Sequence, residues 1–462
     1  MSPPPVSIIV PVCNAHDHLG EALDSIRRQE VPPSEVIVVD DGSSPPVRAI
    51  VQAHLPDATL IEQGNADPSA ARNRGLMRAC GELVAFLDAD DRWTPNALGV
   101  LAKGFRDAPG ADVVQGLVRS FHDPGETQWN VPAADRRPYV GFNVGAMMVR
   151  RRALHEAGLF DEALRHSEDV DLFMRLQDGG AKRLVIPRLV LEYRRHAASL
   201  TAREQVGARR SARNWIGLLH DRRARARTVA ARARTPVSPP PISVILAVRN
   251  GRKYLPAALG SIRRQSLAPT EILAIVGASQ DDTLDYLRSQ ADVRVVEQDG
   301  LGLAAARNQG LSATRCDLIA FYDHDDLWDD RKLERQVRSI ALFTGPAASI
   351  SMMRLMHDAR PDGAGRADDP IAQLPRIGWT PSALLAHRDL FKAIGPFDPG
   401  LGIGCDTDWF RRLQASGLPC ALVPQALLRK RIHDNNLSNE PLRNRAAMFQ
   451  MLKKHRTARR GT

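Results

Sequence analysis

Three carboxylates fall within four positions at Asp88-Ala89-Asp90-Asp91. Oxygen ligands packed this closely repel one another unless a cation sits among them. A hard divalent ion such as Mg²⁺ or Mn²⁺ takes ligands of this kind, often shared with a diphosphate. The apolar run Leu83-Val84-Ala85-Phe86 that leads in has the length of a short buried strand. Open α/β sheets bind ligands at the carboxyl ends of their strands, which is where the cluster falls. The alternative is an acidic turn before a helix starting near Thr94-Pro95, with proline just inside the start.

Other residues belong to the same edge. Asp40-Asp41-Gly42-Ser43 follows the strand Val36 to Val39. A carboxylate there can accept from a base imide or from ribose hydroxyls, although Asp-Gly is equally a turn signal. Arg72 and Asn73 lie near the start of a small-residue helix, Ser69 to Ala79, where a diphosphate meets positive charge and free N–H groups. Glu168-Asp169-Val170-Asp171-Leu172 opens an amphipathic helix with Leu172, Phe173 and Leu176. Acids at a helix start also serve the macrodipole. His196 ends Tyr193-Arg194-Arg195-His196, after the apolar run Leu189-Val190-Leu191; a lone histidine is either a ligand or structural.

The elements that must position these residues occur twice. Val6-Ser7-Ile8-Ile9 returns as Ile242-Ser243-Val244-Ile245, each behind Ser-Pro-Pro-Pro. Ser25-Ile26-Arg27-Arg28-Gln29 returns at Ser261 to Gln265, and Ala70-Ala71-Arg72-Asn73 at Ala305 to Asn308. Asp88-Ala89-Asp90-Asp91 returns as Asp323-His324-Asp325-Asp326. Asp169 matches Asp406, and His196 matches His433. All these pairs lie about 236 positions apart, the mark of a tandem duplication. Each copy reads as alternating strands and helices, which predicts a mostly parallel, doubly wound α/β sheet. In the first copy the strands are Val6 to Val12, Glu35 to Val39, Ala58 to Ile61, Leu83 to Phe86 and Gly141 to Val149. Helices are expected over Asp17 to Gln29, Ser69 to Ala79 and Arg151 to Gly158, the last closed by glycine. The boundaries that follow are 1–202 and 238–445 for the two domains, 203–237 for a basic helical linker, and 446–462 for a basic tail.

The 462 residues carry a net charge of +10, with 43% hydrophobic and 25% charged residues. That is an ordinary globular balance with a bias toward acidic partners. No nucleic-acid recognition motif accompanies the charge, so that class of partner is not expected. The five cysteines are scattered, with no C-x-x-C pair, and fit a reducing cytoplasm. No run reaches the roughly 18 apolar residues of a membrane span. Membrane contact would therefore be peripheral, on the inner face. The linker offers such a contact: Arg203 to Arg234 holds ten arginines beside Trp215, Ile216, Leu218 and Leu219. The alternative is a solvated helix with a few apolar residues packed on a domain.

Val-Ser-Ile-Ile-Val-Pro-Val-Cys-Asn, Val-Val-Asp-Asp-Gly-Ser, Ala-Ala-Arg-Asn-Arg-Gly, Phe-Leu-Asp-Ala-Asp-Asp, Glu-Asp-Val-Asp-Leu and Tyr-Arg-Arg-His occur in one order. Together they resemble the family 2 glycosyltransferases, which have the GT-A fold. The resemblance covers residues 6 to about 200 and, more weakly, 242 to about 440. It implies inverting transfer from a nucleotide-diphosphate sugar to a glycan or lipid-linked acceptor, assisted by Mn²⁺ or Mg²⁺. By resemblance, Asp40 and Arg72 hold the nucleotide, Asp88 and Asp91 flank the ribose and diphosphate, and Asp90 binds the metal. Asp169 would be the base, and His196 would reach the metal or diphosphate.

The second copy departs from this pattern. Val276-Gly277-Ala278 stands at the Asp40-Asp41-Gly42 positions, and Cys405 replaces Glu168. Asp323, Asp325, Asp326, Asp406 and His433 remain. The expectation is an active first copy and a second copy with a metal-competent pocket of altered nucleotide preference. The alternatives are a two-site polysaccharide polymerase and a glycan- or nucleotide-binding scaffold without turnover.

Overall fold

The computed structural model describes residues 4–64, 66–123, 137–164, 167–196, 240–357 and 374–433. The chain divides into two units, Met1–Pro236 and Val237–Thr462. The expected linker helix, with Trp215 and the arginine run, and the basic tail lie outside the described residues.

The first unit runs β1 (Val6–Val12), α1 (His16–Arg27), β2 (Glu35–Asp41), α2 (Arg48–His54), β3 (Thr59–Gln63), α3 (Pro68–Arg78), β4 (Leu83–Phe86), β5 (Arg92–Trp93), α4 (Ala97–Asp107), β6 (Val113–Phe121), β7 (Met147–Arg150), α5 (Arg151–Ala157), α6 (Glu168–Asp178) and β8 (Arg183–Arg194). The sheet order is β3-β2-β1-β4-β7-β6-β8-β5. Strands β1 to β4 pair in parallel, so their carboxyl ends share one edge. Strand β7 runs against β4 and β6, and β5 runs against β8.

The sequence pattern explains this layout. Strand β1 is buried along its whole length, as a central parallel strand must be. Helix α3 lies very close to it: a Cβ added at Gly75 would meet Ile9 Cγ2 at 2.5 Å. That close seating brings Arg72, one turn earlier, to the edge where β4 ends. Ile9, Ile37, Val39, Phe86, Phe160 and Leu172 close the core on this side. Each such side chain contributes about 1.5–3 kcal/mol on burial.

The second unit repeats the plan with β9 (Ile242–Val248), α7 (Leu255–Arg263), β10 (Glu271–Val276), α8 (Thr283–Arg288), β11 (Val293–Glu297), α9 (Leu303–Ala313), β12 (Leu318–Asp323), β13 (Leu327–Trp328), α10 (Lys332–Ile340), β14 (Ala348–His357), β15 (Arg376–Ile377), β16 (Leu384–His387), α11 (Arg388–Ile394), α12 (Cys405–Ser416) and β17 (Cys420–Ile432). Its order, β11-β10-β9-β12-β16-β14-β17-β13, mirrors the first, with β15 added beside β14. Both units are mostly parallel α/β sheets, as the repeats imply.

Among the boundaries that differ from the sequence reading, three have a clear structural cause. Strand β2 continues through Asp40 and Asp41, which pair with Glu62 and Gln63 of β3. Only Gly42, at φ 77°, begins the turn. The strand expected over Gly141 to Val149 is confined to β7, because a tight turn at Val144–Ala146 precedes it. Helix α4 begins at Ala97, since Arg92 and Trp93 first pair with Glu192 and Leu191 of β8. Among the described residues, no helix is long and apolar enough to cross a membrane.

Candidate active site

The chain leaves β4 at Phe86 and turns at once, with the Asp91 N–H donating to the Asp88 carbonyl at 3.0 Å. This turn holds the three carboxylates at the sheet edge. It is fastened from the far end of the unit by β8. The Arg194 N–H donates to Asp91 Oδ1 at 2.8 Å, and Arg194 Nε donates to the Asp90 carbonyl at 2.8 Å. The guanidinium of Arg194 also pairs with Glu21 and Asp123, and the side chain is buried. Among the described residues, nothing donates to the buried Asp91 Oδ2.

Helix α6 brings the second set of acids. Ser167 takes a left-handed conformation, φ 65°, and the first helical turn then carries Glu168, Asp169 and Asp171. Arg175 anchors the helix, donating to Asp171 at 2.7 Å and to the Ala157 carbonyl at 2.7 Å. Asn73 clips the preceding loop through the Phe160 backbone, at 2.9 Å in each direction.

Arg72 lies between the two sets. It donates to Asp88 at 2.7 Å and to Glu168 at 2.7 Å, and is 5% exposed. Burial opposes its charge, yet Asp88 and Glu168 outweigh burial and raise its pKa further. The next residue behaves differently. Among the described residues, Asp169 accepts only from the Val170 N–H, at 2.7 Å. Burial, and then the neighbouring Glu168 charge, push Asp169 up to about 7. Burial and the Asp90 charge also raise Asp88 against the pull of Arg72. Asp91 is held well above the usual carboxylate range by burial, Asp90 and Asp88. The edge therefore carries more carboxylates than cations, and calls for positive charge.

Asp90 and His196 meet as a pair, Oδ2 to Nε2 at 3.0 Å. The His18 ring packs edge-on to His196, centroids 4.9 Å apart. Burial, followed by the nearby Arg194 charge, lowers the pKa of His18. Among the described residues, no three His, Cys, Asp or Glu side chains form a ready-made ion cage. A carboxylate and an imidazole nevertheless suit Mn²⁺, and such ions at nucleotide sites commonly take one or two protein ligands plus phosphate oxygens. The Asp90–His196 pair and the unpartnered Asp91 oxygen fit that pattern.

Asp88, Asp90, Asp91, Asp169, Arg72 and His196 thus come together. Asp40 sits deeper in the same edge, with both oxygens in use. Oδ1 accepts from Ser43 N at 2.9 Å and Oδ2 from Val47 N at 3.2 Å. Asp41 gathers the Ala66 and Asp67 N–H groups at 2.8 and 2.9 Å, which orders the approach to α3. In this structure Asp40 shapes a loop, and Arg72 pairs through both terminal guanidinium nitrogens, while its buried Nε has no hydrogen-bond partner among the described residues. The sequence reading missed Arg194 and the Glu168 partnership.

The second unit keeps this frame and changes its charges. The Arg431 N–H donates to Asp326 at 3.0 Å, Arg431 Nε donates to the Asp325 carbonyl at 2.9 Å, and His433 meets Asp325 at 3.0 Å. Arg307 pairs with Asp323 at 2.9 Å and with Asp406, so the match to Asp169 takes the arginine that Glu168 takes in the first unit. Lys430 Nζ lies 3.8 Å from Asp323 and 3.8 Å from Asp326. Burial opposes the Asp323 charge, but Arg307 and Lys430 bring its pKa down to about 2. Its counterpart Asp88 is raised.

A model of glycosyl transferase family 2 matches residues 7–159 and, separately, 243–352. An uncharacterized glycosyltransferase of Rickettsia felis is 23% identical over 72% of this chain and 63% of its own length. The O-antigen biosynthesis protein RfbC of Myxococcus xanthus is 23% identical over 94% of this chain and 38% of its own. The chain thus spans less than two thirds of these relatives. Among solved structures, S. aureus TarS 1-349 in complex with UDP aligns over 42% of this chain and 61% of that one, at 24% identity and a TM-score of 0.35. The two matched segments cover more than half of the sequence, one in each unit. The chain belongs to glycosyl transferase family 2, as two tandem copies of its GT-A-type domain.

Proposed function

We propose that the first unit transfers a sugar from a nucleotide-diphosphate donor to an acceptor hydroxyl, with inversion at the anomeric carbon. The observation that carries this reading is Asp169, a half-buried carboxylate raised to about 7 beside the Arg72–Glu168 pair. A base with a pKa near the working pH is suited to take a proton from a hydroxyl as it attacks. Attack from the face opposite the departing diphosphate inverts the centre. Arg72 sets the two acid groups at a fixed separation by pairing with Asp88 and Glu168. Asp88 and Asp91 present oxygens toward the donor, and Asp40 orders the loop where the nucleotide enters. Asp90 and His196 are the residues that would hold a divalent ion, which would offset the charge building on the leaving diphosphate. The acceptor is proposed to be a glycan or a lipid-linked glycan; the O-antigen role in the name of the Myxococcus relative supports that class. The arginine run from Arg203 to Arg234 is proposed as a contact for anionic lipid on the cytoplasmic face, the alternative being a solvated segment.

A donor screen tests the reading. The full chain is offered a panel of nucleotide sugars with Mn²⁺ or Mg²⁺, and release of nucleoside diphosphate is followed. One donor should give release that Asp169→Asn nearly abolishes. Release that is indifferent to Asp169→Asn would overturn the assignment of the base.

A further inference from the structure

In the first unit the carboxylate edge carries unneutralised charge. The sequence led to the same expectation for the second unit, because clustered acids are costly without a cation. The structure supplies that cation from the chain itself. Lys430 stands at the position of Tyr193, fixed by the shared frame. Tyr193 pairs in register with Ser120 of β6, and Lys430 with Leu355 of β14; in each unit the following arginine fastens the acidic turn. Its ammonium lies 3.8 Å from Asp323 Oδ2 and 3.8 Å from Asp326 Oδ2, and the lysine is half-buried. Arg307 holds the other Asp323 oxygen at 2.9 Å.

We propose that Lys430 is the resident counter-ion of the second unit, and that this unit takes no divalent metal. An ammonium is a compact point charge on a flexible stem, able to serve two carboxylates at once. A divalent ion entering beside it meets like charge, and finds Asp323 already facing a cation at each oxygen, Arg307 at 2.9 Å and Lys430 at 3.8 Å. The residues of the second unit therefore do not fit the metal that the family resemblance implies, even though the Asp325–His433 pair survives at 3.0 Å. Metal dependence of the whole chain then resides in the first unit, a clause that rests on the reading of Asp90 and His196 above.

The test is a count of bound Mn²⁺. Manganese is titrated into the full chain with UDP present, and the free-ion electron paramagnetic resonance signal gives the number of ions held. Wild type should hold one ion. Asp90→Asn should remove it, and Asp325→Asn should leave the count unchanged. Lys430→Tyr, which installs the residue of the first unit, should add one ion, and Asp325→Asn in that background should take it away. Lys430→Gln provides the same test with a smaller change, and thermal melting checks that each variant is folded. The converse variant, Tyr193→Lys, should abolish the ion of the first unit. A fall in the count on Asp325→Asn alone, or no gain with either Lys430 variant, would overturn the proposal. If Asp90→Asn changes nothing while Lys430→Tyr still adds an ion, the metal reading of the first unit fails and the inference about Lys430 stands.

Discussion

Glu168 and Asp169 are consecutive, yet only Glu168 reaches Arg72, at 2.7 Å. In the second unit the corresponding pair is Cys405 and Asp406, and there Asp406 pairs with the arginine. A thiol cannot hold a guanidinium as a carboxylate does, so the next acid in the helix takes its place. Glu168 keeps Asp169 out of an ion pair, and an unpaired acid is the one able to accept a proton.

Removing that acid should affect rate more than binding. Asp169→Asn is expected to lower kcat by about 10²–10⁴, the usual worth of general-base catalysis. Donor affinity, read by calorimetry with the nucleotide sugar, should barely move. The pH profile carries a second check. The base must be ionised, and burial together with Glu168 sets its pKa to about 7. The rate of the wild-type enzyme should therefore rise through neutral pH and level off above it.

Importing the residue of the second unit tests the partnership itself. Glu168→Cys should free Arg72 to capture Asp169. The rising limb of the pH profile should move to more acidic pH, and kcat should drop by about tenfold or more because the base is weaker. An unmoved limb would show that Glu168 does not govern Asp169.

Asp91 has a mainly architectural task in the free protein, and stability measurements should show it. Asp91→Ala leaves the buried Arg194 N–H without an acceptor, at a cost of about 1–3 kcal/mol. Asp91→Asn keeps an oxygen there and removes a charge that burial, Asp90 and Asp88 disfavour. A carboxyl whose pKa is raised by folding favours the folded state in its protonated form, and that advantage is lost as pH rises through the folded value. Near pH 8, thermal unfolding of the full chain should therefore rank Asn at or above wild type and Ala below it.

The two acidic turns should be unequal in activity. Asp90→Asn is expected to remove most sugar-nucleotide turnover, and Asp325→Asn little of it. Equal damage from both would favour a polymerase with two working sites.

Much of this was legible in the residues. Motifs in one order, repeated about 236 positions on, carried the duplication, the fold and the acids of the edge. The identity of partners was not legible. That Arg72 meets Glu168 and leaves Asp169 aside shows only once the fold brings the start of α6 against α3, 96 residues away in the chain. Asp-Gly is a strong local turn signal at Asp41-Gly42, while pairing with β3 extends the strand through Asp40 and Asp41. The Lys430 change was visible in the repeat, as Tyr193-Arg194-Arg195-His196 against Lys430-Arg431-Ile432-His433. Its meaning needed the register of the last strand.

The fastening of Asp91 by Arg194 spans 103 residues of chain. At synthesis rates of about 5–20 residues per second, the acidic turn precedes its fastener by roughly 5–20 s. Until β8 arrives, Asp91 lacks the backbone donor that the finished fold gives it. When β8 docks, it brings the arginine that closes the turn and, two residues on, the histidine that meets Asp90. Strand β8 lies between β6 and β5, and β17 between β14 and β13, so in each unit the strand that completes the sheet also completes the site.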